Sequence, residues 1–315
     1  MGEGPSVHNE RFQQYRALVA AQRCTLSRDD EWIFCDYVAR GVQPRRAHPL
    51  VMLHGVAGTA NGFFHQVLSL GGKGWRVIAA QWPDYETHID WIAGFAAFLD
   101  GRANASRVHL FGEGLGGFLA LLFARRYPRR VASLVLCNAF NSTSAHDFGL
   151  LERAIGDWLA PPLRMLGPHA YGLLPEFALR GALLETLPQG MMSGHLADSV
   201  DFMVDELERL HQPELASRLR LHTLPEEVGA VRVPAEHITL VSTLDSTLPS
   251  HLRAQLESSL PGAKVALMKG GADLPALAAA DELTLHVEAH LERWARSEAG
   301  RRAAADAPAP APAPS

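Results

Sequence analysis

Between a short apolar run and a helical pattern, the chain reads Phe111-Gly112-Glu113-Gly114-Leu115-Gly116-Gly117. The run before it, residues 107–111, is typical of a buried strand, and residues 115–127 have the apolar character of a buried helix. Two kinds of chemistry use a glycine-rich turn at such a junction. One presents a nucleophile above the end of a sheet, and the other receives the phosphates of a dinucleotide.

The first pattern is G-x-S-x-G, and its outer glycines are matched by Gly112 and Gly116. Its central residue lifts a nucleophilic side chain off the sheet, and the next backbone N–H, here that of Leu115, forms half of an oxyanion hole. The central residue here is Gly114, which has no side chain that could attack a substrate. We therefore expect the turn without its nucleophile. Because glycine accepts a positive φ with little strain, Gly114 is also expected to relax the turn.

The second pattern is G-x-G-x-x-G, which Gly112, Gly114 and Gly117 match. In dinucleotide-binding domains this pattern follows the first strand, whereas several strand-like runs precede it here. The acidic residue expected about 20 positions later is missing, because that place falls near Cys137 and Asn138. The surroundings favour the first pattern.

Strand-like runs and helical patterns alternate on both sides of the turn. The strand-like runs are residues 31–39, 50–53, 75–81, 107–111, 131–137, 237–242 and 263–268. The helical patterns are residues 62–70, 89–99, 115–127, 250–260 and 280–296. Near-continuous apolar strands that alternate with helices predict an α/β fold with a mostly parallel sheet flanked by helices.

One long segment interrupts the alternation. It has helical patterns near residues 150–159, 175–187 and 196–210 and little strand character, which predicts an inserted helical cap. The predicted organisation is an N-terminal extension (1–30), a first part of the core (31–141), the cap (142–234), a second part of the core (235–297) and a disordered Ala/Pro-rich tail (298–315).

Composition and charge exclude several classes of protein. Lys and Arg total 29 against 34 Asp and Glu, a net charge of −5, and no basic run offers a footprint for nucleic acid. The apolar runs fall far short of the about 20 residues of a membrane span. The polar N-terminus lacks the features of a signal peptide, so we expect a cytoplasmic protein. Three cysteines without CxxC spacing (Cys24, Cys35 and Cys137) predict neither a disulfide framework nor a zinc site.

The loop after the strand at residues 50–53 begins with His54-Gly55 and resembles the oxyanion loop of the α/β-hydrolase superfamily. The order of strands, loop and glycine turn, with a helical insertion after the sixth strand, also matches that superfamily. The resemblance implies that a second N–H, from Val56, joins that of Leu115 in an oxyanion-like backbone pair.

The same resemblance implies where an acid and a base would lie. The acid follows the first strand after the cap, where the chain has Asp245. The base follows the last strand in a turn anchored by Pro275, and the chain has Asp273 there. A carboxylate with an ordinary pKa of about 4 is a poor base for a serine-type nucleophile. The degenerate triad is therefore Gly114, Asp245 and Asp273, and we expect no catalytic residue, cofactor or metal.

A closer resemblance is carried by longer stretches: residues 54–64 (HGVAGTANGFF), 74–82, 108–119 (VHLFGEGLGGFL), 133–138 and, above all, 201–219 (DFMVDELERLHQPELASRL). Over about residues 32–294 the chain resembles the maspardin family, a non-catalytic branch of the superfamily. That family typically has a serine in the turn, where this chain has Gly114.

The resemblance implies a cytosolic binding or adaptor protein that associates with endosomes or Golgi-derived membranes. It implies a negative regulator of receptor signalling or trafficking, with a receptor's cytoplasmic tail or an aldehyde-dehydrogenase-like protein as partner. An adaptor of this kind would be a pseudoenzyme.

Two functions stay open from the sequence. One is the non-catalytic binding protein, and the alternative is a hydrolase or lyase with an unconventional constellation of Asp245, Asp273 and a bound water. The backbone pair could receive a carboxylate or carbonyl oxygen, although the two aspartates discourage anions. His54 is expected to hydrogen-bond neighbouring loops, and Glu113 is expected to point away from the site.

Overall fold

A computed structural model of the chain describes residues 7–26, 31–45, 48–101, 103, 105–144, 166–190, 192 and 194–305. Its centre is a sheet with the strand order β1-β2-β4-β3-β5-β6-β7-β8. The strands are β1 (Gln22–Thr25), β2 (Glu31–Tyr37), β3 (Leu50–Leu53), β4 (Val77–Gln81), β5 (Val108–Glu113), β6 (Val131–Cys137), β7 (Ile238–Thr243) and β8 (Lys264–Met268). Strand β2 pairs antiparallel with β1 and β4, and the neighbours from β4 to β8 are parallel. The mostly parallel sheet is as predicted.

Helices cover both faces of the sheet. They are α1 (Val7–Leu18), α2 (Phe64–Gly71), α3 (His88–Gly101), α4 (Leu115–Arg126), α5 (Glu176–Leu184), α6 (Gly194–Leu207), α7 (Gln212–Thr223), α8 (Ser250–Ser259), α9 (Pro275–Ala278) and α10 (Ala280–Ala305). Helices α1, α2 and α10 contribute to one apolar cluster, and α3, α4 and α8 contribute to the other. Along β3, Met52 belongs to the first cluster and Val51 and Leu53 to the second, as the two-residue period of a strand requires.

The predicted elements outside the cap agree with the structure within a few residues, except that α10 ends at Ala305 instead of residue 296. In the cap, the patterns at 175–187 and 196–210 correspond to α5 and α6, whereas the helix predicted at 150–159 lies outside the described residues. Helices α5, α6 and α7 all lie between β6 and β7 along the chain, where the insertion was predicted. Its boundaries at 142 and 234 stay predictions.

Four elements were not predicted, and one of them is the short helix α9, which begins at Pro275. Helix α1 and strand β1 lie within the predicted N-terminal extension, yet Phe12 and Tyr15 of α1 are buried and pack against Phe64 of α2. Strand β1 reads Gln-Arg-Cys-Thr and buries only Cys24, so its polar composition hides it. Helix α7 was missed because its buried residues include Arg218 and other polar side chains, which removes the amphipathic pattern.

The predicted start of the disordered tail is wrong. Helix α10 continues through Ala305, so residues 298–305 are helical rather than part of a tail. The physical reason is composition, because alanine, arginine and glutamate are strong helix formers and the first proline of the repeat comes only at Pro308. Residues 306–315 lie outside the described residues.

A chain of buried polar side chains connects the sheet to α10. Arg293 donates to Thr239, whose hydroxyl donates to His290 Nδ1, with heavy-atom distances of 2.8 and 2.7 Å. Because Nδ1 accepts, the His290 proton lies on Nε2, which donates to Ser133 Oγ at 2.7 Å. Ser133 then donates to His109 Nδ1 at 2.7 Å. All four hydrogen bonds therefore run in one direction and end at His109.

The two histidines of this hydrogen-bonded series, His290 and His109, are neutral. Burial, with Arg293 as the next cause, lowers the pKa of His290 to about 3. Burial, with His290 as the next cause, also lowers the pKa of His109 well below its usual value. Adding a proton to either ring would place an unpaired cation in the core, so acid is expected to weaken the fold.

In the unfolded chain, His290 binds a proton below pH about 6.5, whereas in the folded chain it binds one only near pH 3. The free energy of unfolding that the neutral His290 contributes is therefore fully present above pH about 6.5 and is lost as the pH falls below that value. Acidification from pH about 7.5 to about 5 is expected to destabilise the wild type by about 2 kcal/mol more than His290→Gln. Urea denaturation at both pH values measures the difference. The exposed control His251→Gln should keep the wild-type pH dependence. Equal losses in the wild type and His290→Gln would contradict the prediction.

Candidate functional site

The glycine turn lies at the carboxyl end of β5. Strand β5 ends at Glu113 and α4 begins at Leu115, and Gly114 between them has φ 50° and ψ −115°. A Cβ on Gly112 would lie 2.5 Å from the backbone of Gly116, which leaves no room for a side chain there. Gly114 differs, because a Cβ there would meet no atom closer than 3.9 Å. Position 114 therefore favours glycine through its backbone angle and not through lack of space.

The backbone pair predicted at Val56 and Leu115 lies beside this turn. Both residues line the same cavity as Gly114, and neither N–H donates a hydrogen bond to another described residue. The loop that contains Val56 is closed by a hydrogen bond of 3.0 Å from the Gly58 N–H to the Gly55 carbonyl. Two residues that line the cavity therefore have backbone N–H groups without an acceptor among the described residues.

His54 supports this loop from the side. Its ring stacks on Trp82 with 3.7 Å between ring centroids and 12° between planes. Its Nδ1–H donates to the Gly55 carbonyl at 2.8 Å, so Nε2 carries no proton. Burial, with the Arg218 charge as the next cause, lowers the His54 pKa well below its usual value. The ring is neutral at physiological pH and hydrogen-bonds the loop.

The cavity has a volume of about 530 Å³, within the range of small-molecule sites. Its polar lining includes His54, Thr59, Glu113, Asn138, Glu185, Thr186, His222, Thr247 and Asp273. Its apolar lining includes Phe63, Phe140, Leu187, Met203, Leu274 and Leu277. Within the described part of the chain, no group of three or more His, Cys, Asp or Glu side chains could hold a metal ion.

The two predicted aspartates have different surroundings. Asp273 lines the cavity, and its carboxylate accepts hydrogen bonds from the Ser246 hydroxyl and from the Thr247 N–H and hydroxyl, the last two at 3.0 and 2.5 Å. Asp245 is exposed and accepts the Ala272 N–H at 2.9 Å. It does not line the cavity. The structure brings Gly114, Asp273 and the two backbone donors together and leaves Asp245 outside.

Glu113 is the cavity residue that the sequence analysis assigned wrongly. It was expected to point away, yet it lines the cavity, and its Oε1 is buried without a hydrogen-bond partner among the described residues. Burial, with the Asp273 charge as the next cause, raises the pKa of Glu113 to about 8. A carboxyl at the end of a buried strand, directly before the turn, was the signal that could have identified it.

Asn138 was also missed. It has φ 43°, and its Nδ2 donates to Thr243 Oγ1 and to the Ala272 carbonyl, both at 3.0 Å. Its Oδ1 accepts the Thr243 N–H at 3.0 Å. This network joins the ends of β6 and β7 to the loop that carries Asp273, so Asn138 positions one wall of the cavity.

Known proteins share this architecture. The family model for the alpha/beta hydrolase fold matches residues 48–160. Over 283 residues the chain is 36% identical to the maspardin of Mus musculus. The alignment covers 89% of this chain and 86% of the mouse protein. The chain belongs to the maspardin family. The maspardin of Danio rerio is 35% identical over 287 residues, with 90% of this chain and 86% of the fish protein covered.

A solved structure extends the comparison of folds beyond the maspardin family. A hydrolase from Pseudomonas aeruginosa PA01 superposes with a TM-score of 0.64 at 16% identity and covers 86% of this chain and 98% of that one. At such identity the likeness concerns the fold alone. Together with the family model it confirms the predicted α/β-hydrolase fold.

In this maspardin-family chain the cap holds the loop after β3. Glu206 of α6 is buried, and its Oε2 accepts hydrogen bonds from Thr59 and Asn61 at 2.7 and 2.8 Å. The buried Arg218 of α7 donates to the Gly58 carbonyl. Residues 201–219, which carry the resemblance to maspardin most specifically, are therefore in direct contact with residues 54–64. The cap is part of what shapes the cavity.

Because Gly114 has a positive φ and open space around it, Gly114→Ser is expected to fit but to destabilise the fold by about 1–3 kcal/mol through backbone strain. Urea denaturation measures the change. Gly181→Ser is the matched control, since Gly181 lies in α5 without a positive φ and also has open space. It should change stability by about 0.5 kcal/mol or less. A higher melting temperature for Gly114→Ser would contradict the prediction.

Proposed function

We propose that this maspardin-family chain is a pseudoenzyme that acts by binding and not by catalysis. The observation that carries the proposal is Gly114, which occupies the turn beside two available N–H donors and brings no side chain to them. Serine-type chemistry needs a nucleophilic atom at this point and a base within hydrogen-bond reach of it.

The surroundings of Asp273 support the same proposal. Its two oxygens already accept hydrogen bonds from Ser246 and Thr247. The carboxylate therefore stabilises a turn and does not serve as a general base. One of the two buried histidines that line the cavity, His54, donates from Nδ1 to a backbone carbonyl and stacks on Trp82. Neither group has the geometry of a general base for residue 114.

The alternative function needs Asp245 and Asp273 to share one water. Asp245 does not line the cavity and accepts a backbone N–H instead, which removes one of the two carboxylates from that constellation.

As a binding protein, the chain is proposed to be an adaptor in receptor signalling or trafficking, with a receptor's cytoplasmic tail or an aldehyde-dehydrogenase-like protein as partner. Association with endosomes or Golgi-derived membranes is part of the same proposal and would pass through such partners. No helix in the described residues is long and apolar enough to cross a membrane.

A hydrolase screen tests the non-catalytic claim. Short-chain p-nitrophenyl esters and acyl thioesters are incubated with the purified wild type, with Asp273→Asn and with Asp281→Asn, a control at an exposed aspartate of α10. We expect all three to match the uncatalysed rate, because no activated nucleophile faces the cavity.

Turnover by the wild type and by Asp281→Asn that Asp273→Asn abolishes would contradict the proposal and make the cavity an active site. Turnover that all three proteins share would contradict it as well, and would assign the chemistry to other residues.

A further inference from the structure

The cavity beside Gly114 combines acidic groups with apolar walls. Glu113, Asp273 and Glu185 line it, and none of the described residues around it is lysine or arginine. The buried Arg218 of α7 does not line the cavity. It donates to the Gly58 carbonyl and has Glu214 and Glu206 as electrostatic partners. The cavity therefore presents negative charge without a counterion of its own.

Glu113 leaves hydrogen-bonding capacity unused. Protein atoms enclose most of its side chain, and its Oε1 is buried with no partner among the described residues. Buried carboxyl oxygens are normally hydrogen-bonded, and an unmade hydrogen bond at such an atom is unfavourable. A ligand that donates hydrogen bonds to Glu113 would recover part of that free energy.

The neighbouring groups narrow the chemistry of that ligand. An anion would meet Asp273 and Glu185 without a compensating cation. An ammonium group has three hydrogen-bond donors and no acceptor. An ionised carboxylate has acceptors and no donor, so the two groups are complementary. Phe63 and Met203 offer apolar surface to a short hydrocarbon chain attached to it.

We infer that the cavity is a binding site for a small primary amine in its ammonium form, with Glu113 and Asp273 receiving the ammonium group and the apolar walls receiving the hydrocarbon part. The inference goes beyond the proposed function, since it requires no protein partner and no turnover.

Binding of the ammonium group is coupled to the release of a proton from Glu113. Glu113 has a pKa of about 8 and is protonated at neutral pH, so the arriving ammonium group displaces that proton to solvent and leaves a carboxylate paired with the ligand. The other titratable groups that line the cavity are Asp273, Glu185, His54 and His222. Burial holds the nearby Cys137 as a neutral thiol. Affinity is expected to rise towards tenfold per pH unit between pH about 6 and about 8.

Isothermal titration calorimetry on the full chain tests the inference with three probes of equal length: hexylamine, hexan-1-ol and hexanoate. The wild type is expected to bind hexylamine at least tenfold more tightly than the other two. Glu113→Gln should lose at least tenfold in hexylamine affinity together with its pH dependence. Glu208→Gln, a change at an exposed glutamate beyond α6, is the matched control and should bind as the wild type does.

Folding of the variants is checked by thermal unfolding. Glu113→Gln is expected to unfold at a higher temperature than the wild type at pH about 8, because glutamine cannot ionise in the buried position. If this variant fails to fold, Glu113→Ala replaces it with the same expected loss of binding.

Three results would overturn the inference. The first is that the wild type binds hexan-1-ol or hexanoate as tightly as hexylamine. The second is that the Glu113 variants bind hexylamine as tightly as the wild type does. The third is that hexylamine does not bind at about 10 mM. The result does not depend on the hydrolase screen, so failure of the amine site and failure of the non-catalytic proposal are distinguishable.

Discussion

The close contact of glycine backbone at the turn after β5 determines how the carboxyl edge of the sheet is built. A Cβ on Gly117 would lie 2.5 Å from the Cβ of Ala139, and one on Gly116 would overlap the Leu53 carbonyl. Only without these side chains does α4 begin so close to the ends of β3 and β5. At this junction Gly114, Leu115 and Val56 line one cavity. Contacts thus require glycine at 116 and 117, whereas position 114 has room for a side chain.

The cap depends on that turn and in return holds the loop opposite it. Glu206 and Arg218 are both buried and both bond to the loop at residues 58–61. Arg218 Nε and Nη2 have no partner among the described residues, and burial lowers the pKa of this side chain to about 10. A buried ion with unmade hydrogen bonds adds little to stability but strongly disfavours other arrangements of the loop. The cap and the loop therefore form one unit.

The sequence predicted those parts of the fold that depend on local patterns. Strands β3, β4 and β6 are mostly apolar and are buried along their whole length because helices cover both faces, and the glycine spacing identified the turn. Helix α7 was missed because Arg218 and its polar neighbours are buried by tertiary contacts, which leave no periodic trace. The direction of Glu113 and the position of Asp245 outside the cavity depend on loop geometry, which spacing alone does not encode.

We propose that the hydrolase scaffold of this chain keeps its backbone donors and its cavity while its side chains serve structure and binding. Intact-mass spectrometry of the wild-type chain after exposure to an excess of an alkyl fluorophosphonate tests this most directly, because the reagent labels activated nucleophiles. The account predicts the unmodified mass, since Gly114 offers no nucleophile beside the Val56 and Leu115 N–H groups. A stoichiometric adduct on a residue that lines the cavity would contradict it.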